Sequence, residues 1–116
     1  MLRTLGLGLI LIAGSAAAVL AHHGWGSYDA SKLVTVAGTI EEARFEMPHV
    51  QIRVKAPDQT WTVVLAPTSR MLARGATKEM VAVGRSVTAV GYASTVEKGE
   101  MRAERITVDG KTVEMR

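Results

Sequence analysis

Three histidines are the residues through which this sequence could do chemistry, and two of them are neighbours. His22 and His23 stand in Ala21-His22-His23-Gly24-Trp25-Gly26-Ser27-Tyr28, and His49 stands in Glu46-Met47-Pro48-His49. If a leader is removed after Ala21, His22 becomes the first residue. Its amine and one ring nitrogen can then hold the same metal ion, a rigid chelate whose geometry suits copper(II). With an ordinary amine pKa of about 7.7–8.0, losing the amine proton costs little near neutral pH. The ring of His49 would add a third nitrogen, and His23 or Met47 would complete the set according to the copper oxidation state. The candidate metal ligands are therefore His22, His23, His49 and Met47, and the candidate cofactor is copper. In a rival arrangement the His22 amine, the next backbone nitrogen and the His23 ring bind copper(II) without His49. Copper binds most tightly among the divalent first-row metals at such sites, and zinc enters if an acidic side chain joins. Each histidine also fits a plainer role, as part of a solvated tail or as the cap of a strand edge.

Other chemistries have less behind them. The chain has no cysteine, which removes disulfides, thiolate metal sites and a thiol nucleophile. Ser27 with His22 or His23 has no acid partner or oxyanion hole to make a hydrolytic triad. Asp29, Glu41, Glu42 and Glu46 read as surface charges, and no phosphate-binding glycine loop is present. No catalytic residue is assigned, and no enzyme is expected. Net charge is +3, with one of those charges at Arg3. Basic and acidic residues alternate, as in Glu97-Lys98-Gly99-Glu100-Met101-Arg102, and aromatics are few, so a nucleic-acid partner is not expected.

The leader has the expected parts. Met1 to Thr4 carries one positive charge, Leu5 to Ile12 is apolar, and Val19-Leu20-Ala21 offers small residues around a cleavage site. A second possible site follows Ala18. The apolar run is short for a membrane span of roughly 20 residues. Residues 1–21 are read as a cleaved export signal, 22–32 as an extended arm anchored by Trp25 and Tyr28, and 33–116 as the folded domain. The expected location is periplasmic or secreted, with no stable membrane span after cleavage.

The elements that must position the histidines follow from a period of two. Over Leu33 to Phe45, Val34, Val36, Gly38 and Ile40 share one face, and the apolar phase then slips, which predicts a bulge. Pro48 cannot donate to a ladder, so Glu46-Met47-Pro48 is a connection, and His49 is expected to open the next strand facing outward. Val50, Ile52 and Val54 point inward there. Ala56-Pro57-Asp58-Gln59 is a turn. A third strand covers Thr60 to Leu65, and a short helix with Leu72 in the core runs from Thr68 to Arg74. Strands over Ser86–Ala93 and Met101–Val108 follow. Asp109-Gly110 is a tight hairpin signal that folds Lys111 to Met115 back. Five to six antiparallel strands with one short helix predict an all-β fold, a small barrel of the oligonucleotide/oligosaccharide-binding (OB) type.

The order of leader, His22-His23-Gly24, the Thr35-Val36-Ala37-Gly38-Thr39-Ile40 strand, Pro48-His49-Val50 and the closing Asp109-Gly110 hairpin resembles a family of small exported bacterial proteins. That family is described only as a domain of unknown function, and the likeness spans essentially the whole mature chain. It implies a compact exported β-barrel and no established activity. Where the family typically has asparagine before the proline, this sequence has Met47, which withdraws an amide and supplies a thioether suited to copper(I). The alternative to metal handling is a non-catalytic module that binds a small ligand, a glycan or a protein. Its binding surface would be the barrel face carrying Arg53, Lys55 and outward threonines.

Overall fold

The computed structural model describes residues 24–116. The expected leader and both His22 and His23 lie outside the described residues. Six strands and one helix follow in order: β1 Val34–Arg44, β2 Gln51–Lys55, β3 Thr60–Val64, α1 Thr68–Ala73, β4 Ser86–Ala93, β5 Glu100–Val108 and β6 Lys111–Glu114. The sheet order is β3-β2-β1-β4-β5-β6, and an additional β3–β5 pairing closes the first five strands into a barrel. That closing pair is parallel, while the other pairings are antiparallel. β6 continues the sheet on the far half of β5, where Ile106 pairs with Val113. The fold is the small OB-type barrel that the strand periods predict.

Alternation explains why these segments are strands and which face they bury. In β1, Val36 and Ile40 are buried while Thr35, Ala37 and Thr39 are exposed. Gly38 lies so close to the end of β2 that a Cβ there would stand 2.1 Å from the Lys55 carbonyl oxygen. Past Ile40 the β1–β2 register shifts before Glu42, which is the bulge signalled by the phase slip. In β2, Ile52 and Val54 enter the core and Gln51, Arg53 and Lys55 face out. Asp109 and Gly110 have φ of 50° and 78°, as a tight β5–β6 hairpin requires.

The core gathers Val36, Ile40, Ile52, Val54, Val63, Leu65, Met71, Val87 and Ile106 with their neighbours. One core assignment fails. Leu72 is 57% exposed and Met71 is fully buried in its place. With only six residues, α1 turns one side chain squarely inward, and its sequence period is too short to choose between adjacent apolar residues. Val34 packs on the core from a half-buried position. Ile52, 1% exposed, tests the assignment of faces. Ile52→Ala should lower unfolding free energy by about 2–5 kcal/mol in a denaturant titration, as other core truncations do. Among the described residues no helix is long and apolar enough to cross a membrane.

Candidate functional site

The segment expected as an extended arm enters the structure as a single 3-10 turn, Trp25–Ser27. It then runs extended beside the β4–β5 connection. Tyr28 pairs with Ser94. The Asp29 amide donates to the Ala93 carbonyl at 2.9 Å, and the Thr95 amide donates to the Ser27 carbonyl at 2.8 Å. Tyr28 is buried, as expected of an anchor. Trp25 meets Tyr28 and Tyr92 edge-on, with centroids 6.3 and 6.1 Å apart. The guanidinium groups of Arg102 and Arg116 lie 4.2 and 4.3 Å from its ring centre, close enough for cation–π attraction.

The start of β5 builds the other side. Met101 and Ala103 enter the core, so the intervening Glu100, Arg102 and Glu104 project from the opposite face, toward the arm. Arg102 is only 7% exposed. The Tyr28 hydroxyl donates to Glu100 Oε2 at 2.6 Å. Glu104 accepts from Arg116 at 2.9 Å and from the Tyr92 hydroxyl at 3.4 Å. Arg102 Nη2 lies 3.1 Å from His49 Nε2. Arginine has no acceptor, so this bond runs in one direction. Nε2 of His49 offers its lone pair, and the ring proton sits on Nδ1. Tyr28, His49, Gln51, Glu100 and Arg102 line one cavity of about 160 Å³.

Burial depresses the pKa of the Arg102 guanidinium. The hydrogen bond from Arg116 holds the Glu104 carboxyl below its ordinary range. Burial, and then the bond to Glu100, push the Tyr28 hydroxyl well above its ordinary value of 10.0. A raised pKa favours the neutral phenol in the fold, so its contribution is complete below pH 10 and declines as pH rises beyond it. The stability difference between wild type and Tyr28→Phe should therefore be constant from neutral pH to about pH 10 and shrink above it. Paired denaturant titrations across that range measure this directly.

Of the two sequence-assigned ligands among the described residues, His49 lines the site and Met47 does not. His49 does not open β2 facing outward. It precedes the strand, half-buried, in the β1–β2 connection after the cis Met47-Pro48 bond. The proline interrupts the ladder, and the residue after it turns its ring toward β5 instead of solvent. Met47 is 65% exposed, and its sulfur accepts a hydrogen bond from the Thr68 hydroxyl at 3.3 Å. Among the described residues no three histidine or acidic side chains stand close enough to hold a metal ion. Glu100 and Arg102, read from sequence as a hairpin tip and a solvated face, belong to the site. The only signal for them was the position of Arg102 in a strand flanked by core residues. A second concavity of about 350 Å³ lies on the face of β1, β2 and β3, lined by Glu42, Arg44, Gln51, Arg53 and Thr62. Arg53 there donates to the Thr62 hydroxyl at 3.0 Å.

A family model described as a family of unknown function, DUF6152, matches residues 10–112. The chain belongs to the DUF6152 family. The resemblance read from the sequence thus holds for the family and for the barrel. Among curated proteins nothing matches this DUF6152 chain. Among solved structures it is similar to a mutant of TiaS lacking its ZRD, in complex with agmatine. The TM-score is 0.52 at 14% identity, over 75% of this chain and 27% of that one. It is also similar to TiaS in a complex with an isoleucine transfer RNA and ATP. There the TM-score is 0.48 at 15% identity, over 69% of this chain and 18% of that one. The DUF6152 chain thus spans about a quarter or less of these proteins, and the first likeness is one of fold.

Proposed function

We propose that this protein is exported, is processed after Ala21, and binds copper through the His22 amine and ring together with the ring of His49. The observation that carries the reading is the contact of Arg102 with His49 Nε2 beneath Trp25. In that contact Arg102 donates and Nε2 accepts, beside the cavity that His49 lines, and an accepting ring nitrogen is the form in which imidazole binds metal. The same contact ties that nitrogen to the arm. Trp25 lies on the guanidinium, Gly24 precedes Trp25, and two further residues of backbone reach at most about 7 Å. The His22 amine, two residues before Gly24, is proposed to join that ring. Three nitrogen donors, two of them from one residue, favour copper(II) over zinc.

Replacing His49 tests the shared site. In the processed protein, His49→Ala should weaken copper(II) binding on the order of 100-fold, at or above the 10–100-fold typical of losing an outer-shell partner. The measurement is competition against a chelator of known affinity, on protein shown by its denaturation profile to be folded. Equal affinity in the two proteins would instead support the rival site made by His22 and His23 alone.

A second reading rests on the concavity over β1, β2 and β3, where Arg44 and Arg53 face a polar groove. A small anionic or glycan-like ligand held there would bind without metal. Its binding would survive replacement of His22 and His49 and be lost with Arg53→Ala.

A further inference from the structure

Two concavities share a wall. Gln51 lines both the groove over β1, β2 and β3 and the smaller cavity at the start of β5. Strand register explains the junction. Arg44 stands opposite Gln51, Gln51 opposite Val64, and Val64 opposite Arg102 across the parallel closure. Directly opposed residues share a face of the sheet, so these four side chains form one row over four strands. Glu42, Arg53, Thr62 and Glu100 form the neighbouring row by the same pairings. Three strand spacings make each row about 14 Å long. One row carries arginine at both ends, and the other carries glutamate at both ends.

The β1 end is open, with Glu42 and Arg44 exposed. The β5 end is built in. Arg102 is 7% exposed with Trp25 over its guanidinium, and Glu100 is held by the Tyr28 hydroxyl. Midway, Arg53 donates to the Thr62 hydroxyl at 3.0 Å. A chain laid along the rows therefore meets guanidinium groups and carboxylates over the same span. An acidic peptide would meet Glu42 and Glu100 with like charge. A neutral sugar chain would draw nothing from the charge on three arginines. A nucleic-acid strand would need aromatic faces for its bases, and the buried Tyr28 is the one aromatic among the described lining residues. Resting on the second, metal-free reading, we infer that groove and cavity form one site for an acidic oligosaccharide of the uronate type. Its carboxylates accept from Arg44, Arg53 and Arg102, and its ring hydroxyls donate to Glu42 and Glu100. The groove, at about 350 Å³, takes the body of the chain, and the cavity of about 160 Å³ takes the substituents of its last sugar.

Calorimetric titration of the protein with tetramannuronate tests the joined site. Arg53→Ala and Arg102→Gln should each weaken binding about tenfold, as removal of a charge-assisted hydrogen bond does. Tetraglutamate and the neutral cellotetraose should each bind about tenfold more weakly than tetramannuronate, since each leaves part of the lining unmatched. Weaker binding in Arg53→Ala with unchanged binding in folded Arg102→Gln would overturn the joined site and leave the second reading standing. Tetraglutamate or cellotetraose binding as tightly as tetramannuronate would overturn the ligand class alone. Binding of none of the three, or binding that neither substitution weakens, sinks both the second reading and this one. Wild-type protein covers the case in which Arg102→Gln fails to fold. The nitrogen-15 guanidinium signals of Arg53 and Arg102 should both shift through the tetramannuronate titration. An Arg102 signal that stays still while that of Arg53 moves contradicts the junction.

Discussion

A chain carrying Gly91→Ala is expected to lose about 3–5 kcal/mol of stability, enough to unfold much of the protein at physiological temperature. A Cβ at Gly91 would stand 1.9 Å from the Arg102 carbonyl oxygen and 2.8 Å from Ala103 Cα. Both are backbone atoms of the neighbouring strand, so no rotamer change relieves the overlap. The β4–β5 register shifts at this point, between Val90 and Gly91. Here β5 also pairs with β3, with Val64 opposite Arg102. Pushing β5 away from β4 therefore opens the barrel where it closes, and moves Arg102 off its partners. For a domain of this size each 1 kcal/mol shifts the melting temperature by about 4–8 °C, so a fall of roughly 12–40 °C is expected by calorimetry. Gly26→Ala is the matched control, because nothing lies within 4 Å of its would-be Cβ. It should stay within about 0.5 kcal/mol of wild type. Equal melting of wild type and Gly91→Ala would contradict the close approach on which the barrel's closure depends.

Gly91 also marks where sequence reasoning stops. It read as one more alternating position of a strand, because nothing local distinguishes a glycine that makes room for another backbone. Features set by nearest neighbours were legible. The inward residues of β1 and β2, the bulge after Ile40, the helix over Thr68–Ala73 and the Asp109-Gly110 hairpin all follow from short-range pattern. The parallel β3–β5 closure was not legible, since two segments some forty residues apart meet without a local signal. The site was half legible for the same reason. His49 stood out by residue type. Its partner Arg102 lies 53 positions away, and the Tyr28–Glu100 bond spans 72. An arginine in a mixed-charge sequence looks solvated until the arm and its tryptophan are folded over it.

These long-range contacts alter what the histidines can do. A histidine facing solvent from a strand edge would be protonated or not as the solution dictates. His49 instead has its Nε2 lone pair fixed by a donor that never becomes an acceptor. The arm is fixed as well, through Tyr28, Ser27 and Asp29 along the β4–β5 connection. A tethered terminus lowers the entropy lost when a second ligand joins a metal already held by the first. In the proposed copper site the terminal chelate and the His49 ring would act together, so the position of the first residue would be decisive.

The central claim is tested most directly by comparing copper(II) binding to two forms of the protein, one beginning at His22 and one carrying a single extra residue before it. The extra residue turns the His22 amine into an amide. That nitrogen then no longer competes for the metal with a pKa of about 7.7–8.0. The fold should be unaffected, because the barrel's core is untouched. The account predicts that the form beginning at His22 binds one copper(II) tightly. It predicts that the extended form loses at least about two to three orders of magnitude in affinity, as expected when a bidentate terminus is reduced to a lone imidazole. Equal affinity in the two forms would contradict the account.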